Sequence, residues 1–72
     1  MTIGKKIKKL RKESGYKQKE LAEKLGVAVN SISHWETDTF EPSILNCISL
    51  ADIFGVTLDE LCCRGDYDVK ST

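Results

Sequence analysis

QKELAEKLGVAVNSISHWET, residues Gln18 to Thr37, is the stretch on which the fold turns. Leu21, Ala22 and Leu25 share one face of a short helix from about Gln18 to Leu25, and Gly26 ends it. After a brief turn, Val29 to Glu36 forms a second helix that carries Ile32 and Trp35 inward at i and i+3. Asn30, Ser33 and His34 then point away from that inner face. Two short helices crossing steeply need a small residue where they meet, and Ala22 supplies it. The turn between them needs a residue that tolerates positive φ, which Gly26 does without steric cost. Ile32 and Trp35 hold the second helix against the first, so Trp35 is read as core and not as a platform for stacking.

Working outward, Ile3, Ile7 and Leu10 recur at i, i+4 and i+7 on one narrow helical face, capped by Thr2 and ended by Gly15. Lys5, Lys6, Lys8, Lys9, Arg11 and Lys12 run between them and are expected on the solvent side. Downstream, Pro42 and Ser43 open a fourth helix that Gly55 closes, with Ile44, Cys47, Leu50, Ala51 and Phe54 on its inner face. Thr57-Leu58-Asp59-Glu60 is a capping-box sequence that starts a last short helix through Cys63. With no strand alternation and no repeat, the chain is predicted to be all-α. It divides into one helical domain over residues 1–63 and a flexible tail over 64–72.

Seventy-two residues allow one small domain, and 40% hydrophobic with 31% charged residues describe an ordinary globular one. No apolar run exceeds four residues, too short for a membrane-spanning helix. The first helix is basic and amphipathic, but its three modest apolar residues lack the bulky anchors of a membrane-surface helix. No charged-then-apolar leader opens the chain, and a cytoplasmic location is expected. The formal net charge is zero, yet residues 1–24 hold nine basic and three acidic residues while residues 25–72 hold two and eight. Charge is therefore segregated along the chain. Three cysteines, Cys47, Cys62 and Cys63, form no disulfide framework and read as reduced thiols. The single histidine, His34, sits in a different kind of segment, so no metal site and no cofactor are expected. Nor does His34 have a nucleophile or a carboxylate set with it in an apolar cleft, which argues against an enzyme.

Ile7-Lys8-Lys9-Leu10-Arg11, Gln18-Lys19-Glu20-Leu21-Ala22, Leu25-Gly26-Val27 and Ile32-Ser33-His34-Trp35-Glu36 occur in that order. Pro42, Leu50-Ala51, Phe54-Gly55-Val56 and Leu58-Asp59-Glu60-Leu61 continue the series. This ordered set, spanning residues 3–63, resembles the XRE family of phage-repressor and Cro-like helix-turn-helix proteins. The resemblance implies a five-helix, lambda-repressor-like domain with its helix-turn-helix over residues 18–37. It implies a transcriptional regulator, most simply a repressor, that binds operator DNA as a dimer and inserts its third helix into the major groove. Carried over residue by residue, Val29, Asn30, Ser33 and His34 match the positions that reach base edges. Gln18 matches the phosphate-contacting start of the second helix, with Lys17 and Lys19 beside it, and Ala28, Ser31 and Thr39 fall near the backbone. The chain departs from the family's pattern at Lys17, where Ser or Thr usually caps the second helix, and at Asp38, where Gly is common. Thr39 and Glu41 occupy a loop that is often basic.

Elementary chemistry agrees with that assignment. Asn pairs with adenine at N6 and N7, His donates to guanine and Val packs on a thymine methyl. A helix N-terminus presents free N–H groups to phosphate. In the fourth helix Leu45 and Ile53 fall outside the core stripe with the small Ser49 between them, a second apolar stripe that Phe40 extends. This stripe is the expected interface of a weak homodimer that DNA strengthens. Double-stranded operator DNA is the expected partner, with no small-molecule ligand and no membrane. A protein-interaction module on the same fold, such as an antitoxin or anti-regulator, is the alternative. Prophage switches and restriction–modification controllers are not separated by these residues.

Overall fold

A computed structural model of the chain describes residues 2–62. Among the described residues it contains helices α1 (Ile3–Glu13), α2 (Gln18–Leu25), α3 (Val29–Glu36), α4 (Ile44–Phe54) and α5 (Leu58–Leu61), and no strand. Short polar side chains accept from the free N–H groups at three of the five starts. Thr2 accepts from Lys5 N, Ser43 from Asn46 N and Thr57 from Glu60 N. At α2 the Lys17 ammonium has nothing to accept with. Only the reverse half of a cap forms there, as the Lys17 N–H donates to Glu20 Oε1 at 2.8 Å. Gly26 and Gly55 end α2 and α4 in the left-handed conformation at φ 75° and 70°, which a side chain would strain.

Ile7, Leu21, Ile32, Leu50 and Leu61 are fully buried, one from each helix, and Ala22, Trp35, Cys47 and Ala51 close the core around them. The α2–α3 pair is held by Leu21 and Ala22 against Ile32 and Trp35, as the sequence anticipated. Burial pushes the Cys47 thiol up to about 11, with the Cys62 thiol adding to the effect. Cys47 and Cys62 are both free thiols. Every buried side-chain nitrogen and oxygen among the described residues has a hydrogen-bond partner.

Four expectations need correction. Arg11 is not on the solvent face of α1 but buried, because Glu36 of α3 lies across from it as a buried carboxylate. Ile44 is 69% exposed, not inside, since α4 begins beyond the edge of the core and sinks into it only from Cys47 onward. Ile53 is half-buried and packs on the core, because α4 is packed against α1, α2 and α5 and not against one neighbour alone. Finally, α5 stops at Leu61 with Cys62 as its cap, so it does not run through Cys63. Cys63 itself and the tail expected over 64–72 lie outside the described residues.

Arg11 and Glu36 form a two-pronged ion pair, Nε to Oε2 at 2.6 Å and Nη2 to Oε1 at 3.1 Å. The remaining Arg11 nitrogen donates to the Tyr16 carbonyl at 2.9 Å, and Gln18 Nε2 donates to Glu36 Oε1 at 3.0 Å. Removing one member of such a pair strands a buried charge, whereas replacing both removes the problem. Arg11→Met should therefore cost about 3–5 kcal/mol. Adding Glu36→Leu to it should recover most of that loss. Urea unfolding of the two singles and the double measures both outcomes.

Candidate nucleic-acid interface

The buried residues of α3, Ile32, Trp35 and Glu36, face α1 and α2. At about 100° per residue the opposite arc carries Asn30, Ser33, His34 and the following Thr37. Asn30, His34 and Thr37 are exposed and Ser33 is half-buried, so the structure gathers three of the four expected base-reading side chains with one unexpected hydroxyl. Val29 stands at the start of the helix and is 43% exposed. Ala28, which caps α3 without a side-chain hydrogen bond, is exposed, and Ser31 is half-buried. The first N–H groups of α3 therefore meet no side-chain acceptor at the cap, the condition under which a helix start can hold an anion.

Gln18 occupies the first position of α2 and reaches α3 through Glu36. That bond fixes the amide at the junction of the two helices instead of leaving it free in solvent. Glu36 is neutralised by Arg11, so the carboxylate closest to this junction does not oppose an anion. Lys17 and Lys19 flank Gln18 and are exposed. The other basic side chains are partly engaged, Lys9 with Glu13 at 3.2 Å and Lys24 with its ammonium 5.7 Å from the centre of the Tyr16 ring.

Past α3 the chain folds back on itself. The Thr37 hydroxyl donates to the carbonyls of Ser33 and His34 and meets the Thr39 hydroxyl at 2.8 Å. Thr37 was missed from sequence, although it follows His34 by three and Asn30 by seven, the spacing of one helical face. Asp38 takes the left-handed conformation at φ 62°. Its carboxylate accepts from the Thr2 hydroxyl at 2.8 Å and from Gly4 N at 3.2 Å, so the residue that departs from the family's glycine also caps α1. Gly4 is obligatory there, since a Cβ would stand 2.2 Å from the Trp35 carbonyl oxygen. Thr39 is exposed on the same side of the turn as Thr37, whereas Glu41 turns away to line an apolar groove with Ile3, Ile44 and Leu58. Phe40 is exposed, with its ring against that of His34. Of the expected dimer residues, Leu45 and Ser49 are exposed, while Ile53 belongs to the core side.

Two short helices joined by a tight turn, with a buried seam and an outward polar second helix, embedded in a small helical bundle, define a helix-turn-helix domain. The chain belongs to the XRE-type helix-turn-helix family, whose family model matches residues 7–61. It is 34% identical over 71 residues to the HTH-type transcriptional regulator ImmR of Bacillus subtilis, covering 99% of this chain and 56% of ImmR. The chain thus spans little more than half of that relative's length. Its fold is similar to the P22 c2 repressor protein, solved in complex with a synthetic operator, at a TM-score of 0.80 and 30% identity over 85% of this chain and 92% of that one. It is likewise similar to SinR, a master regulator for biofilm formation solved in complex with DNA, at a TM-score of 0.77 and 39% identity over 83% of this chain and 97% of that one. The family is one of helix-turn-helix proteins and not a class of enzyme. Among the described residues no helix is long and apolar enough to cross a membrane.

The Gln18–Glu36 contact yields a direct test of the junction. Gln18→Glu would set a second carboxylate against Glu36 Oε1 and should cost about 1–3 kcal/mol of stability at neutral pH. Protonation restores a donor, so the penalty should shrink as the pH is lowered through the carboxylate range. Thermal unfolding of both proteins across that range measures it.

Proposed function

We propose that this chain is a sequence-specific DNA-binding transcriptional regulator, acting as a repressor in the cytoplasm and without catalytic activity. The observation that carries the reading is the outward face of α3. Asn30, Ser33, His34 and Thr37 form one polar strip on a helix whose back is locked to α1 and α2 by a neutralised ion pair. An α-helix fits the major groove of B-DNA, where Asn, His and Val recognise adenine, guanine and the thymine methyl. Lys17, Gln18 and Lys19 at the start of α2, with Ala28, Ser31 and Thr39 beside α3, take the phosphates and set the register. The relatives named above are regulators, and two of the solved ones hold DNA, which supports the reading.

The decisive experiment is a mobility shift or fluorescence anisotropy titration against the DNA upstream of the protein's own gene, with a randomised duplex of equal length as control. A preference for the upstream duplex is expected, and binding to neither would defeat the proposal. Asn30→Ala and His34→Ala should each weaken the preferred duplex by about 1–3 kcal/mol and leave the random duplex nearly unchanged. Affinity should also fall steeply with salt despite the zero net charge, because phosphates respond to the local lysines and not to the chain total.

A two-fold dimer extends the proposal. The first half of α4 leaves Ile44 at 69%, Leu45 at 73% and Ile48 at 42% exposed, one apolar face with Ser49 beside it. The area is small, so association is weak in solution and is strengthened when two copies occupy half-sites about 34 Å apart on one face of DNA. Leu45→Glu combined with Ile48→Glu should abolish cooperative binding to a palindromic duplex while circular dichroism still reports a folded helical protein. Cooperative binding by that variant would move the interface elsewhere.

A further inference from the structure

Among the described residues Phe40 is the one Phe, Tyr or Trp whose side chain is mostly exposed, at 61%, and the DNA reading above gives it no task. Its ring meets the His34 imidazole edge to face, with centroids 5.2 Å apart and planes at 79°. The contact is built by the backbone. The His34 carbonyl accepts from Thr39 N at 2.9 Å, from Phe40 N at 3.3 Å and from the Thr37 hydroxyl at 3.2 Å. Asp38 makes the reversal in the left-handed region, and its carboxylate is tied to the start of α1 through Thr2 and Gly4. A fixed loop therefore brings Phe40 against the last outward side chain of α3, where a histidine would otherwise sample several rotamers.

We infer that Phe40 is a positioning residue for His34, fixing the imidazole so that it discriminates one base pair at the C-terminal end of the α3 footprint. An exposed side chain that must be ordered on binding loses part of its interaction energy to that ordering, and holding it beforehand returns the loss. Edge-to-face aromatic pairs have a geometric preference strong enough to do this. The effect falls on selectivity and not on general affinity, since Phe40 adds no charge and no phosphate donor. A Phe40 that only filled space would influence neither the ring of His34 nor a single base position.

The inference rests on the DNA reading under Proposed function, and two measurements separate their failures. In the free protein, the His34 ring-proton resonances should shift in Phe40→Leu and stay close to their original positions in Phe40→Tyr. Unmoved resonances in Phe40→Leu would overturn the contact without reference to DNA. Selection from a randomised duplex library then compares the unaltered chain, Phe40→Ala, Phe40→Tyr, His34→Ala and the double Ala variant. Discrimination at one base pair should fall about three- to tenfold in Phe40→Ala, at the same position that His34→Ala affects. The double variant should lose no more than His34→Ala alone, and Phe40→Tyr should retain the preference. Equal weakening on all sequences, or an unchanged preference in Phe40→Ala, would overturn the inference and leave the DNA reading standing. Enrichment of no sequence by the unaltered chain would overturn both.

Discussion

The buried Arg11–Glu36 pair is the constraint on which the other parts depend. It joins α1 to α3, and its spare hydrogen-bonding capacity reaches the Tyr16 carbonyl in the first loop and the Gln18 amide at the start of α2. Three helices and the connection between two of them thus meet at one ion pair. A chain that buries as little as this one cannot rely on apolar packing alone to choose a single arrangement of short helices. A two-pronged guanidinium–carboxylate contact has a narrow geometry and supplies part of that choice. It also disposes of a charge problem, because an unpaired Glu36 beside the α2–α3 junction would repel any anion approaching it.

The second anchor is Asp38. Its left-handed backbone ends the α3 segment, and its carboxylate serves the N-terminus of α1. Gly4 permits this by letting α1 approach the Trp35 carbonyl more closely than any side chain would allow. Both anchors sit at the C-terminal end of α3, Glu36 as its last residue and Asp38 two residues beyond it. The outward strip of Asn30, Ser33, His34 and Thr37 is presented on a short helix whose orientation is set by contacts behind it. That is the physical requirement for reading base edges, where a displacement of an ångström loses a hydrogen bond.

The fourth helix divides its work along its length. From Cys47 to Phe54 it supplies core, while Ile44, Leu45 and Ile48 remain uncovered near its start. The uncovered part lies among residues that the sequence had distributed differently, with Ile44 inside and Ile53 outside. Period alone places both on an apolar helix, and it is the packing of α4 against α1, α2 and α5 that leaves Ile44 exposed and draws Ile53 onto the core.

Local patterns alone determined the five helices, their caps and the α2–α3 seam. Thr2, Ser43 and Thr57 cap the starts of α1, α4 and α5, Gly26 and Gly55 end α2 and α4, and the spacing of Leu21, Ala22, Ile32 and Trp35 sets the seam between α2 and α3. The outward side chains Asn30, Ser33 and His34 followed from the same periodicity. What the pattern left open was every pairing between residues far apart in the chain. Arg11 looked like one more solvated cation, because nothing within a helical turn announces a carboxylate 25 residues away. Gln18 bonded to Glu36, Asp38 capping α1, Phe40 turned onto His34 and the half-covered α4 are of the same kind. Periodicity reports which face of a helix is apolar, whereas only the assembled fold decides which neighbour covers that face and which buried charge finds its partner.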